Sequence, residues 1–280
     1  MNRQVLQGKF YMWIMELFKI PNNIQNIVFH TDVLKGMKFA LNSRDSFLEQ
    51  HYQFLLSVGN GESLFFPSFN YTCLKTGKYE VQKDDVQVGI LNEFIRKKDN
   101  IKRDQMPVFN FISNTSKKYI NIKNNDIVDP FGDNSTFDFL SKNKSFLIHY
   151  GSSFNSSTIV HYVERISGKL TYRYDKDFLI DIIDNDVVKT VKFRYHVRPL
   201  HFNLDYNWLK LEEDLKCQNI LWEFKSGRTQ ILGAEIEQLV KYWLEQLKED
   251  PLYFLDTQTR LEVSKKLDEL GSKFELKHFE

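Results

Sequence analysis

The chain of 280 residues is long enough for one large or two small domains, and 42% hydrophobic residues can fill a core. Its 38 basic and 37 acidic residues give a net charge of +1 and are mixed along the chain, which excludes the footprint of a nucleic-acid binder or of a protein held on an anionic membrane. The two cysteines, Cys73 and Cys217, stand far apart in no metal spacing, which excludes a zinc site and a disulfide framework and fits a reducing cytoplasm.

The apolar run at residues 10–18, after Lys9, faintly imitates a secretion signal. It contains Glu16, lacks a small-residue cleavage site and is too short to span a bilayer, so an amphipathic helix packed on the domain is expected. Residues 26–32 read as a buried strand with polar end residues, followed by a helix-compatible stretch through Phe39. Residues 45–56 have helical spacing, and Gly59, Asn60 and Gly61 turn the chain into a strand at 63–66, stopped by Pro67. This is a strand–helix–strand unit, and ligands of open α/β sheets sit at such strand ends.

Residues 70–87 are polar and read as a surface loop; helical spacing resumes at 89–96, and 108–113 is another apolar run. The turn at 129–135 can cap a helix beginning near Thr136, and 144–150 reads as a buried strand. Residues 170–174, 178–183 and 187–197 alternate as antiparallel strands about Asp184, Asn185 and Asp186, predicting a hairpin. Helical spacing at 204–215, strands at 220–224 and 230–232, and a strongly periodic helix at 236–250 ended by Pro251 complete the pattern, with a charged, helix-prone tail. No repeat or linker interrupts it, so the expectation is one α/β domain: a mixed central sheet flanked by helices, with an antiparallel and helical C-terminal elaboration.

The chemistry concentrates at residues 151–164, where a loop of Gly, Ser and Asn runs from the 144–150 strand into a segment carrying Thr158, His161 and Glu164. On a helix these three point to one side. Glu164 can then fix the tautomer of His161, whose other nitrogen serves as a base, while Thr158 and the loop amides can donate to a developing oxyanion. A helix with a capped start and an ordinary His–Glu surface contact would have the same spacing, so spacing alone does not decide. His-x-x-Glu can also ligate metal, but no further ligands cluster with it and no metal is expected. No Gly-x-Gly-x-x-Gly or phosphate-loop lysine supports hydride transfer or nucleotide hydrolysis.

The pattern from Gly151 through Thr158, His161 and Glu164 resembles the signature of the aminoglycoside 3-N-acetyltransferase family. Further blocks resemble that family in order, at residues 28–34, 64–69, 89–91, 103–113 and 130–135. The resemblance implies direct transfer of an acetyl group from acetyl-CoA to the amine of an amino sugar, in a mixed α/β fold, with no metal and no enzyme nucleophile. It casts His161 and Glu164 as the pair that deprotonates or orients the amine and Thr158 as the oxyanion donor. It places His30, Thr31, Asp32, Ser68 and Ser113 along the donor's pantetheine arm and Arg103 at a CoA phosphate. One departure stands out: the family often has a histidine before the proline, where this chain has Gln105-Met106-Pro107.

For the acceptor, Arg165, Lys169, Arg173, Lys176, Lys189, Lys192, Arg194 and Arg198 follow the motif, and residues 172–178 resemble relatives of surface-polysaccharide synthesis. The expectation is a nucleotide-linked amino sugar, whose diphosphate these residues could meet. The alternative is aminoglycoside acetylation conferring antibiotic resistance, favoured if Asp181, Asp184 and Asp186 face the cleft. A non-catalytic CoA- or sugar-binding relative would have no need of Thr158, His161 and Glu164 together.

Overall fold

The computed structural model describes residues 18–59, 61–200 and 203–280, so the helix expected at 10–18 lies, but for Phe18, outside the described residues. The chain enters through β1 (Asn26–Thr31), α1 (Arg44–Gly59) and β2 (Ser63–Pro67), the strand–helix–strand unit the sequence predicts. The region read as a polar loop contains α2 (Cys73–Thr76) and β3 (Lys78–Glu80), both too short to carry a period. Next come α3 (Ile90–Arg96), β4 (Lys102–Arg103), β5 (Phe111–Ser113), β6 (Ile127–Val128), α4 (Thr136–Lys142) and β7 (Ser145–Tyr150). Ser135 caps α4 by accepting from the Asp138 amide. The remainder is α5 (Ile159–Ser167), the long hairpin β8 (Tyr174–Asp184) and β9 (Val187–Val197), α6 (Trp208–Cys217), the hairpin β10 (Trp222–Ser226) and β11 (Thr229–Glu235), α7 (Ile236–Glu249) and α8 (Thr257–Leu270).

A seven-stranded sheet runs β10-β11-β7-β1-β2-β5-β4 and a four-stranded sheet runs β3-β8-β9-β6. In the larger sheet only β7, β1 and β2 are mutually parallel, with β1 between the other two. That explains their unbroken apolar sequences: strands covered on both faces do not alternate in polarity. Alternate residues of these strands feed two cores. Val28, Phe65 and Leu147 face one, with Val160 and Val163 of α5, Trp243 of α7 and Ile180 and Phe193 of the hairpin. Ile27, Phe29, Leu64 and Ile148 face the other, with Leu48 and Leu55 of α1 and Leu91 of α3. In the β8–β9 turn, Asn185 and Asp186 take positive φ (48° and 65°), the left-handed pair that matches strand twist in two-residue hairpins.

The helix-compatible reading of residues 33–39 is not realised. The amides of Lys35 and Gly36 turn back onto the Asp32 carbonyl, Met37 N donates to the Tyr150 hydroxyl at 2.9 Å, and Thr229 Oγ1 donates to the Gly36 carbonyl. A Cβ on Gly36 would sit 2.5 Å from the Tyr150 ring. Tertiary pinning by β7 and β11 overrides local propensity here.

Candidate active site

The site forms where β1 and β7 end side by side. Gly151 follows β7 with φ of +74°, and a Cβ there would lie 2.2 Å from the Asp32 carbonyl oxygen and 2.5 Å from the Gly36 nitrogen. The two loops therefore meet backbone to backbone, which only glycine permits. Behind them the rings of His30 and His149 stack with centroids 5.1 Å apart. Ser152 Oγ donates to the His30 carbonyl and lies 3.1 Å from His149 Nδ1, while Ser157 Oγ lies 2.8 Å from His149 Nε2. Burial lowers His30 to about 4, and burial with its neighbour His30 lowers His149 well below the usual histidine range, so both are neutral struts of the serine loop.

A cavity of about 400 Å³ opens in front, lined by His30, Thr31, Pro67, Phe69, Tyr71, Val88, Gly89, Asn92, Ser152, Ser156 and Thr158. It lies at the ends of β1 and β2. Thr31 Oγ1 donates to Asn92 Oδ1, and Asn92 Nδ2 donates to the Pro67 carbonyl, fixing one wall. At Gly89, with φ of +78°, a Cβ would press within 3.2 Å of Asn92. Apolar walls interrupted by hydroxyls and an amide fit the alternating alkyl and amide groups of a pantetheine arm.

Of the residues expected along the donor, His30 and Thr31 line this cavity. The Asp32 carboxylate accepts from the Leu34 amide and closes the turn. Ser68 is fully buried and donates to Asn110 Oδ1 at 2.6 Å. Arg103 does not fit the expected phosphate role: it is 7% exposed and spends its donors on Asn110 Oδ1 and the carbonyls of Asp84 and Ser68. Ser113 is buried and lines a separate cavity with Lys117 and Tyr119. Gln105, at the departure from the family pattern, donates to Asp184 at 2.8 Å and accepts from Lys189.

Helix α5 begins after Thr158, which lines the cavity, and the amides of Val160 and His161 in its first turn are bonded to the Ser157 and Thr158 carbonyls. One turn on, His161 Nδ1 lies 2.8 Å from Glu164 Oε2, with 29% of the imidazole side chain exposed and none of the Glu164 side chain. The carboxylate has three more partners. Tyr206 and Tyr172 donate their hydroxyls to Oε1 at 2.6 and 3.0 Å, and Arg173 Nε lies 3.0 Å from Oε2 as a charge contact whose N–H is not aimed along a hydrogen bond. Burial pushes the Glu164 carboxyl up, but Arg173, His161 and Tyr206 outweigh it and hold it down to about 2. Burial lowers His161, opposed by the Glu164 hydrogen bond and reinforced by the Arg173 charge. The pair is thus a carboxylate and a neutral imidazole at neutral pH, with the shared proton on Nδ1 and Nε2 left as acceptor.

Sequence reasoning missed Tyr206 and the structural part of Arg173 and His149. Tyr206 comes from the stretch before α6 and carries no local signal. The surrounding charge is largely engaged: Arg165 binds Asp129 and Asp175, Arg194 binds Asp177, and Lys176 pairs with Glu280. Asp181 accepts from Thr190, and Asp184 is bonded to Gln82 and Gln105.

The profile of the aminoglycoside 3-N-acetyltransferase family matches residues 70–248. No curated protein sequence matches the chain. Among solved structures, the fold is similar to aminoglycoside acetyltransferase AAC(3)-IVa as apoenzyme, with TM-score 0.65 and 15% identity over 89% of this chain and 91% of that one. It is similar to AAC-IIIb in binary complex with CoASH, with TM-score 0.67 and 11% identity over 87% and 96% of the two chains. The YokD protein from Bacillus subtilis is also similar, with TM-score 0.62 and 12% identity over 86% and 94%. At these identities the likeness is one of fold, while the family profile spans more than half of the chain. The chain belongs to the aminoglycoside 3-N-acetyltransferase family, whose acyl donor is acetyl-CoA.

Proposed function

We propose that the protein transfers the acetyl group of acetyl-CoA directly to an amine of an aminoglycoside, with His161 taking the proton. The observation that carries this reading is the buried Glu164 carboxylate bound to His161 Nδ1 one helical turn from a cavity suited to pantetheine. Glu164 has no exposed side-chain surface and its oxygens are filled by four protein partners, so it orients His161 and does not itself meet the acceptor. An acceptor amine is protonated at neutral pH and cannot attack until a base removes a proton; His161 Nε2 is that base. The freed amine attacks the thioester carbonyl. Thr158 receives the oxyanion, and collapse of the tetrahedral intermediate expels CoA, whose sulfur takes the proton that the amine nitrogen sheds as the amide forms. Direct attack by the amine needs no enzyme nucleophile, and burial raises the Cys73 thiol to about 11, which removes it as a thiolate.

The family supports an aminoglycoside acceptor, and the engaged state of Arg165, Arg173, Lys176 and Arg194 weakens the case for a diphosphate held by the basic run. A second reading, a nucleotide-linked amino sugar used in surface-polysaccharide synthesis, is favoured by one observation. Asp181 and Asp184 are hydrogen-bonded at the far end of the β8–β9 hairpin, so they do not supply an acidic wall for a polycation. Release of CoA from acetyl-CoA with a panel of aminoglycosides and nucleotide-linked amino sugars separates the two. Aminoglycosides are expected to give the higher kcat/KM; preference for the nucleotide sugars would reverse the assignment.

A further inference from the structure

Glu164 is an unusual orienter because it is shared. Its Oε2 stands 2.8 Å from His161 Nδ1 and 3.0 Å from Arg173 Nε, and its Oε1 accepts from Tyr206 and Tyr172. Arg173 is 8% exposed and reaches Glu164 from the segment leading into β8. Its Nη2 donates to the Tyr206 hydroxyl at 2.6 Å, and Nη1 donates to the His196 carbonyl at 3.4 Å. The Tyr206 hydroxyl lies in turn 3.3 Å from His161 Nδ1. Carboxylate, guanidinium, phenol and imidazole thus form one closed cluster contributed by three separate parts of the chain.

A carboxylate buried in low dielectric with an imidazole as its sole partner forms a tight ion pair, and the imidazole then holds a proton it should be free to accept. A guanidinium on the same oxygen removes that excess pull. We propose that Arg173, aided by Tyr206, is a positioning residue that divides the charge of Glu164 and so keeps His161 as a free base when the acceptor arrives. This role rests on the reading of His161 as the base. The other groups facing the pair do not substitute for it. Tyr172 donates a neutral hydroxyl; Tyr195 on β9 contributes no full charge; His196 has its Nδ1 against Asp175 at 2.9 Å. Arg173 is the only guanidinium in contact with Glu164 among the described residues.

The test is the pH dependence of kcat/KM for acetyl transfer in the wild type, Arg173→Met, Arg173→Lys and Tyr206→Phe. Removing a charge at this distance moves a neighbour's titration by about one pH unit or more. Without Arg173 the imidazole binds its proton more tightly, so the acidic limb moves up. Arg173→Met is expected to lose about tenfold near the acidic limb and to recover as pH rises. Arg173→Lys should return the limb towards its wild-type place, and Tyr206→Phe should shift it the same way as Arg173→Met but less. Loss of activity by one factor at every pH, with the limb unmoved, would mean that Arg173 only holds the fold and would overturn the proposal. Should Arg173→Met fail to fold, the Tyr206→Phe profile decides, because the ring stays packed and only the hydroxyl goes. If His161→Ala abolishes turnover while these limbs stay fixed, only this proposal falls; if His161→Ala retains turnover, the functional reading itself falls.

Discussion

Glu164 illustrates how a single side chain carries both stability and chemistry. Its carboxyl titrates at about 2 in the folded protein against about 4.3 when unfolded, so the folded state binds fewer protons across that interval. The stabilisation it provides is therefore complete above about pH 4.3 and drains away as pH falls towards 2. Denaturant midpoints measured from pH 6 down to pH 2.5 should fall steeply in the wild type and less steeply in Glu164→Gln. That variant should be less stable at neutral pH by about 3 kcal/mol or more, because it leaves Arg173 buried without its counter-charge. Equal slopes for the two proteins would show that the carboxylate is not held as described. At this scale the sequence exposed Thr158, His161 and Glu164 because they recur at helical spacing, from the cap of α5 into the helix. It did not expose Tyr206, whose bond to Glu164 spans 42 positions and obeys no local period. Arg103 was legible as a residue but not as a buried one, because a guanidinium satisfied by carbonyls reads in sequence like one left free for phosphate.

Among elements, the junction of β7 and α5 depends on Gly151. Alanine there must hold φ near +74° and push its Cβ against the backbone of the β1 loop, 2.2 Å from the Asp32 oxygen, so the two loops must separate. Gly61, with φ of +95° and no atom within 4 Å of the place a Cβ would take, suffers only the backbone strain. Thermal unfolding should therefore place Gly151→Ala well below Gly61→Ala, and turnover should fall in the first variant alone, since its loop carries Ser152 and leads to Thr158. A similar loss in both variants would mean that the loops yield independently. The elements that were legible have strong patterns: the unbroken apolar runs of β1 and β7, and the hairpin with Asn185 and Asp186 at its turn. Residues 33–39 misled because their turn is fixed by Tyr150 and Thr229, neither of which is near in sequence.

For the molecule as a whole, the three buried strands β1, β2 and β7 were legible in the sequence but their side-by-side parallel order was not, and of the four-stranded sheet only the central hairpin was legible. The outer strands of that sheet, β3 and β6, have three and two residues, too few for an alternating pattern, and they join the hairpin by parallel pairing across long separations. That second sheet matters to function because β9 brings His196 and Tyr195 towards the pair on α5, and the segment entering β8 brings Arg173. The cavity proposed for the donor and the His161–Glu164 pair thus meet at one helix, with Thr158 just before its first residue and His161 a turn along, while the rest of the chain sets their charge and spacing. The most direct measurement is CoA release from acetyl-CoA with an aminoglycoside acceptor, comparing the wild type with His161→Ala. Turnover by the wild type is expected, with a fall in kcat of about 10²–10⁴-fold in the variant and acetyl-CoA affinity retained. Full turnover by His161→Ala, or no amine-dependent release by the wild type, would contradict it.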